Sequence, residues 1–258
     1  MKKIKEYYNE QKEILKEHVK GLEMSVCVFQ IGNNEASNRY VKNKLKDFED
    51  LGIETNLIKV PDNITFIRLK EKVRQASRNN NCFILQLPIP DYYNLEELKA
   101  EIYPSHDIDG LVEDSKVNPA TPQGIMDYLD YNNYSLENKN VVILGRSELV
   151  GKPLAKMMLA HNANVTLLHS HTSEENKRLA LKNADVIVSC VGKRNVVTDD
   201  MIRPDAFIID VGINFDEDGH MVGDCESVTK CSKTPVPGGV GLLTRIAIIK
   251  NAIKVRRS

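Results

Sequence analysis

Short apolar runs alternate with longer amphipathic ones along almost the whole chain, and this alternation limits the fold more than any other feature. MSVCVFQIG (24–32) reads as a buried strand, residues 36–51 as a helix stopped by Gly52, and IETNLIKV as a second strand. ITFIRLKEKVRQASRNN then reads as a helix, CFILQLPIP as a strand ending in prolines, and LEELKAEI as a short helix. Strands joined through helices run parallel, because the crossover returns the chain to the starting edge of the sheet. Covering helices complete an α/β fold. A second series starts near Thr121. TPQGIMDYLDYN is predicted to be a helix with its N-cap at Thr121 and Pro122 in the first turn. NVVILG, NVTLLHS, ADVIVSCVG and AFIIDVGIN follow as strands at βαβ spacing, and GRSELVGKPLAKMMLAHN turns into a helix. Two stretches break the pattern. One is SHDIDG (105–110); the other is TPVPGGVGLLT (234–244), where five of eleven residues are Pro or Gly. A final helix, GLLTRIAIIKNAIKV, follows.

A chain of 258 residues suits one large α/β unit or two lobes sharing a cleft. Its net charge of −1 gives no general attraction to nucleic acid or anionic membrane. No apolar run approaches the roughly 18 residues of a membrane span. The first residues, MKKIKEYYNEQKEILKEH, are charged and helical in pattern without an apolar signal core, so a cytoplasmic location is expected. The five cysteines are scattered and form no C-x-x-C, which reads as buried thiols rather than metal ligands or disulfides.

NVVILGRSELVGKPLAKMM is a strand–turn–helix. Gly145 follows the strand and Gly151 opens the helix. Such a turn lets backbone approach a diphosphate, whose charge a helix N-terminus favours. The spacing is not G-x-G-x-x-G, and an ordinary turn is the plainer alternative. The next strand ends in His169-Ser170-His171-Thr172, with no carboxylate for a ribose 2′-hydroxyl. Arg146 and Ser170 suit a 2′-phosphate instead, so NADP is expected over NAD. His169 and His171 form an H-x-H pair, but no further ligands cluster nearby, and no metal is expected.

In the first half, Tyr40 and Lys44 share a helix face. Desolvation disfavours an ammonium, so a lysine in a cleft can serve in proton transfer; a solvated helix face is the alternative. Short-chain dehydrogenases share the Y-x-x-x-K spacing, but there the pair follows the nucleotide fold, and here it comes first. Gln86 lies at a strand's C-terminal end, where open α/β sheets bind ligands. Asp109 lies in a turn beside Gly110. A backbone-bonded amide and a turn-capping carboxylate are the plainer readings of these two.

Taken in order, Y-x-x-x-K, QLPIP, D-I-D-G, TPQGI, GRSELVGKP, DVGIN, GD and PVPGGVG closely resemble the bifunctional methylenetetrahydrofolate dehydrogenase/cyclohydrolase family, from about Val26 to Ala252. The resemblance implies two α/β lobes: a folate-binding catalytic lobe (1–120 plus 240–258) and a Rossmann-type NADP lobe (121–239), with the last helix returning to the first lobe. It implies oxidation of 5,10-methylenetetrahydrofolate with NADP⁺, then hydrolysis of the methenyl product to 10-formyltetrahydrofolate. Lys44 matches the catalytic lysine, Gln86 the amide that tunes it, Tyr40 the ring that packs on the aminobenzoate, and Asp109 the carboxylate that holds the pterin. Gly145, Arg146, Ser147, Ser170, Ile213 and Thr244 match cofactor positions. Pro237, Gly238 and Gly239 fall in the loop expected to face both ligands. A homodimer is implied as well.

The chain departs from the family in several places. Residues 111–120 form a shorter segment than usual, and the usual strand before MKKIKEYY is absent. Leu242, His171 and His106 stand where proline, a basic residue and lysine are common. Two alternatives are a two-lobed dehydrogenase of the shikimate type, and a folate-binding relative without turnover.

Overall fold

The computed structural model of the chain describes residues 2–257, the side chain at position 36 excepted. The chain divides into two units: Glu10–Ala120 with Arg245–Ser258, and Met1–Asn9 with Thr121–Thr244. The expected division kept 1–120 and 240–258 together, so it differs at both ends. Packing gives the reason. Ile4, Tyr7, Val240 and Leu243 are buried in the same core cluster as Tyr128 and Leu129. Tyr7 meets Tyr128 edge-on at 5.4 Å, and the Tyr128 hydroxyl donates to the Lys2 carbonyl at 2.5 Å.

Helix α1 (Ile4–His18) opens the chain. The first unit is then built on β1 (Ser25–Ile31), α2 (Glu35–Glu49), β2 (Glu54–Val60), α3 (Phe66–Asn79), β3 (Cys82–Leu85) and α4 (Leu95–Lys99). Its three strands are parallel in the order β2-β1-β3. The central strand, VCVFQI, is buried at every position, as a strand covered on both faces must be. The edge strand β2 is largely exposed. Asn34 caps α2, its side chain accepting the Ser37 N–H at 3.0 Å. Gly52, at φ +76°, ends the following turn, as the sequence suggests.

The second unit comprises α5 (Ala120–Tyr131), β4 (Asn140–Leu144), α6 (Gly151–Ala160), β5 (Asn164–Leu168), α7 (Glu174–Lys182), β6 (Val186–Ser189), β7 (Phe207–Asp210), the short strands β8 (Asn214–Phe215), β9 (Met221–Val222) and β10 (Ser232–Lys233), and α8 (Val240–Arg257), which runs on into the first unit at Arg245. Five strands form a parallel sheet in the order β10-β7-β6-β4-β5.

Two expectations need correction here. Helix α5 starts at Ala120, so Thr121 lies inside its first turn and is not the N-cap. Its hydroxyl instead meets that of Thr244 at 2.9 Å. AFIIDVGIN is not one strand. It leaves the sheet after Asp210, and Asn214–Phe215 pairs antiparallel with Met221–Val222. The break falls at Gly212, where the Asp224 carboxylate occupies the space of a Cβ.

Candidate active site

In each sheet the strand order reverses at one strand, and the loops after it open a crevice at the carboxyl edge where α/β sheets take ligands. In the first unit that strand is β1, flanked by β2 and β3. Gln86 follows β3 directly, its N–H bonded to the Phe29 carbonyl of β1 at 2.9 Å. The side chain is 8% exposed. Its Nε2 donates to the Leu87 carbonyl at 2.5 Å, while its buried Oε1 has no partner. A buried acceptor without a donor is costly unless something else supplies one.

Lys44 and Tyr40 stand one turn apart on α2, the helix that leaves β1. Lys44 Nζ meets Asp109 Oδ2 at 3.3 Å, with the lysine side chain 10% exposed. Residues far apart in sequence thus form one ion pair. Tyr40 is half-buried, and burial raises its hydroxyl pKa.

Asp109 is fixed through its backbone. The Asp107 carboxylate accepts the N–H groups of Asp109 (3.2 Å), Gly110 (3.1 Å) and Val112 (2.9 Å). The Asp109 carbonyl accepts the Ala120 N–H at 3.0 Å. Asn251, buried on α8, donates to the carbonyls of Ile108 (3.0 Å) and Asn118 (3.2 Å). Gly110 sits at φ +69°, and a Cβ there would lie 2.6 Å from the Asn118 carbonyl. Asp107 is 2% exposed. Burial first, and the nearby Asp109 charge, push its carboxyl up to about 6 against the pull of its N–H donors. Sequence reasoning missed Asp107 and Asn251. The first carboxylate of D-I-D-G was the available signal; nothing in the sequence marks Asn251.

In the second unit the reversal is at β4, between β5 and β6. Gly145 follows β4 at φ +112°, and a Cβ on it would lie 2.8 Å from the Cys190 carbonyl, just after β6. A Cβ on Gly151 would lie 2.0 Å from the Gly145 carbonyl. Both glycines are therefore demanded by close backbone approach. Ser147 Oγ accepts the N–H groups of Val150 (3.3 Å) and Gly151 (3.4 Å) at the start of α6. Arg146 and Ser170 are exposed in the loops after β4 and β5. The His169-to-Thr172 turn closes on itself, with the His169 N–H donating to Thr172 Oγ1 at 3.0 Å. His169 Nδ1 accepts the His171 N–H at 3.2 Å, which occupies that ring nitrogen. Ile213, after β7, is 42% exposed. The Thr244 hydroxyl is engaged with Thr121 and with the Val240 carbonyl. Gly238 takes φ +88°, and a Cβ on Gly239 would lie 2.0 Å from the Pro235 carbonyl. These two conformations account for the glycine pair in PVPGGVG.

The tight turn from Gly145 to Gly151 brings the start of α6 to the carboxyl edge of the sheet, where a helix N-terminus favours the charge of a diphosphate. The loop after β5 carries hydroxyl and imidazole groups and no carboxylate to repel a 2′-phosphate. The donor set fits NADP. Among the described residues, Asp216, Asp218 and His220 gather ligand atoms within 4.8 Å. They lie on the β8–β9 turn, where Asp216 Oδ1 already accepts two backbone N–H groups. The thiols of Cys27, Cys82 and Cys190 are pushed up to about 12 by burial. All five cysteines are free, two of them half-buried.

A Rossmann-type parallel sheet with a glycine-tight turn at its switch point, and a smaller α/β unit that holds a half-buried lysine–aspartate pair, define a two-unit dinucleotide-dependent class. Comparison with known proteins sharpens this. The profile of the tetrahydrofolate dehydrogenase/cyclohydrolase catalytic domain matches residues 1–109, and that of the family's NAD(P)-binding domain matches residues 119–258. The bifunctional protein FolD of Oceanobacillus iheyensis is 36% identical over 253 residues, covering 92% of this chain and 88% of that protein. The crystal structure of the bifunctional FolD methylenetetrahydrofolate dehydrogenase/cyclohydrolase from Campylobacter jejuni superposes with TM-score 0.90 at 33% identity, covering 98% of this chain and 97% of that one. The Trypanosoma brucei enzyme, solved with NADP cofactor and an inhibitor, gives TM-score 0.85 at 26% identity over 98% and 93% of the two chains. The chain belongs to the tetrahydrofolate dehydrogenase/cyclohydrolase family. Its motif string and both profiles place it there rather than among shikimate-type dehydrogenases.

Proposed function

We propose that the chain oxidises 5,10-methylenetetrahydrofolate with NADP⁺ and then hydrolyses the methenyl product to 10-formyltetrahydrofolate. The observation that carries this reading is the half-buried Lys44–Asp109 pair at 3.3 Å, in a chain of this family. NADP⁺ supplies the hydride acceptor. Lys44 is the proton-transferring group for hydrolysis. Gln86 offers Oε1 as an acceptor that positions the lysine or the ligand. Asp109 holds the donor-rich amino-pyrimidine edge of the pterin, and Tyr40 packs on the aminobenzoate ring. The backbone at Gly145 and the start of α6 take the diphosphate, with Ser147 completing that turn. Arg146 and Ser170 take the 2′-phosphate. Ile213 and Thr244 take the cofactor, and Pro237, Gly238 and Gly239 form the substrate loop.

Among the described residues no helix is long and apolar enough to cross a membrane. A cytoplasmic homodimer, acting on tetrahydrofolate derivatives and not on nucleic acid, fits the family and the near-neutral charge.

The test mixes the protein with 5,10-methylenetetrahydrofolate and NADP⁺ or NAD⁺, and follows reduced cofactor and methenyl absorbance together. Reduced cofactor without methenyl build-up is expected, with NADP⁺ the better acceptor. Methenyl accumulation would remove the hydrolase half of the reading. No reduction with either cofactor would leave a folate-binding relative without turnover.

A further inference from the structure

Two buried aspartates stand behind the loops at the carboxyl edge of the second sheet. Asp210 closes β7, and Asp224 follows β9; they are 3% and 0% exposed. Asp224 accepts five hydrogen bonds. Its Oδ2 takes the Ser189 hydroxyl (2.8 Å) and the N–H groups of Val191 (2.9 Å) and Gly192 (3.2 Å). Its Oδ1 takes the Lys193 N–H (3.0 Å) and Asn214 Nδ2 (2.9 Å). Asp210 accepts the N–H groups of Gly212 (3.0 Å), Asp224 (3.0 Å) and Cys225 (2.8 Å). The two carboxylates interlock with two glycines. A Cβ on Gly212 would fall 2.0 Å from Asp224, and one on Gly223 would fall 2.1 Å from Asp210.

The consequence falls on what the loops present. Val191 lies between the donors held by Asp224, and Ile213 lies between Gly212 and Asn214. Both are exposed large apolar residues, at 47% and 42%. They follow β6 and β7, which are adjacent in the sheet. One buried carboxylate thus holds the two adjacent loops that carry these exposed apolar residues, at a ligand-binding edge. A carboxylate without a cationic partner is retained in such a place only when enough donors are aimed at it.

We propose that Asp224 is a positioning residue for the dinucleotide: it fixes the loops 190–193 and 211–214 so that Val191 and Ile213 form an apolar wall against the bound cofactor. This rests on the reading of that edge as an NADP site. Asp224→Asn keeps the size but replaces one acceptor oxygen with an NH₂ that faces backbone donors.

The test is direct NADP⁺ titration by calorimetry on the full-length protein, with cyclohydrolase turnover of methenyltetrahydrofolate measured in parallel without cofactor. For Asp224→Asn the NADP⁺ Kd is expected to rise about ten-fold or more, with cyclohydrolase turnover within about two-fold of the parent. A substitution that only destabilised the chain would lower turnover with the folded fraction and leave Kd unchanged. Asn214→Ala, which removes one donor of the five, gives a smaller rise of about two- to three-fold and decides the matter if Asp224→Asn does not fold. Unchanged Kd in the folded variants overturns the proposal alone. A parent protein that binds no NADP⁺ overturns the cofactor reading and the proposal with it.

Discussion

Asp107→Asn should move stability and activity in opposite directions. Folding lifts the Asp107 carboxyl from its ordinary 3.8 to about 6, through burial first and the Asp109 charge after it. That rise corresponds to about 3 kcal/mol against the ionised form in the folded chain. The sign follows from linkage. The folded value lies above the unfolded one, so this group's stability is present below about pH 4 and is lost as pH rises through about 6. Asparagine removes the titration. Parent and variant differ in this one ionisable group, so their difference reports Asp107 together with its coupling to Asp109. Urea unfolding of both proteins, followed by circular dichroism at stepped pH, should show the parent gaining about 2 to 3 kcal/mol on the variant between pH 7.5 and 4. At pH 7.5 the variant should be at least as stable as the parent. Its folate KM should nonetheless rise several-fold there, because an amide facing backbone donors holds Asp109 less well. A stability difference flat across the pH range would refute the reasoning, since the carboxylate would then not be ionised against its burial.

The other expectations are simpler. Lys44→Met should abolish methenyl hydrolysis and leave folate binding within a few-fold; parent-like hydrolysis by that variant removes Lys44 from the mechanism. Asp109→Ala should weaken folate by about ten-fold or more with little change in NADP⁺ Kd, and equal losses for both ligands would make its role structural. Arg146→Ala should cost NADP⁺ about 1.5–3 kcal/mol of binding and leave NAD⁺ unaffected, measured by titration with each cofactor. Gly124→Ala places a Cβ 2.5 Å from the Leu243 carbonyl. A lower melting temperature, from about 1–3 kcal/mol of overpacking, is the expected result.

The parts legible in the sequence were those that depend on local pattern. Apolar runs bounded by turns gave the parallel strands, and the glycine-rich turn after β4 marked the switch point. The misreadings share a cause: side chains from elsewhere override the local signal. Thr121 carries a capping residue's chemistry, yet Ala120 is already tied to the Asp109 carbonyl and is itself the first residue of the helix. DVGIN has strand propensity, yet the Asp224 carboxylate claims Asn214 and the space beside Gly212. The charged helical stretch MKKIKEYYNEQKEILKEH is expected in the first lobe. Ile4 and Tyr7, buried near Tyr128, and the Lys2 carbonyl bonded by Tyr128 assign its first residues to the second unit instead. Among the site residues, the motifs marked Lys44 and Asp109, but no local pattern pairs them.

The short segment after Asp109 bears on the alternative of a folate binder without turnover, because a shorter span there could displace Asp109. Its geometry removes that support. Residues 111–120 form a closed excursion: they leave Asp109 and return to it through the Ala120 N–H at 3.0 Å. The start of the excursion is pinned by Asp107, which takes the Val112 N–H on its carboxylate and the Ser115 hydroxyl on its carbonyl. Its end is pinned where Asn118 packs against Gly110 and accepts from Asn251. A loop whose two ends are fixed by buried bonds can shorten or lengthen between them without moving its base, at an entropic cost that varies only slowly with length. Asp109 belongs to that base, and its contact with Lys44 is set by Asp107 and Ala120 rather than by the span of the loop. The shortened segment therefore leaves the Lys44–Asp109 contact in place.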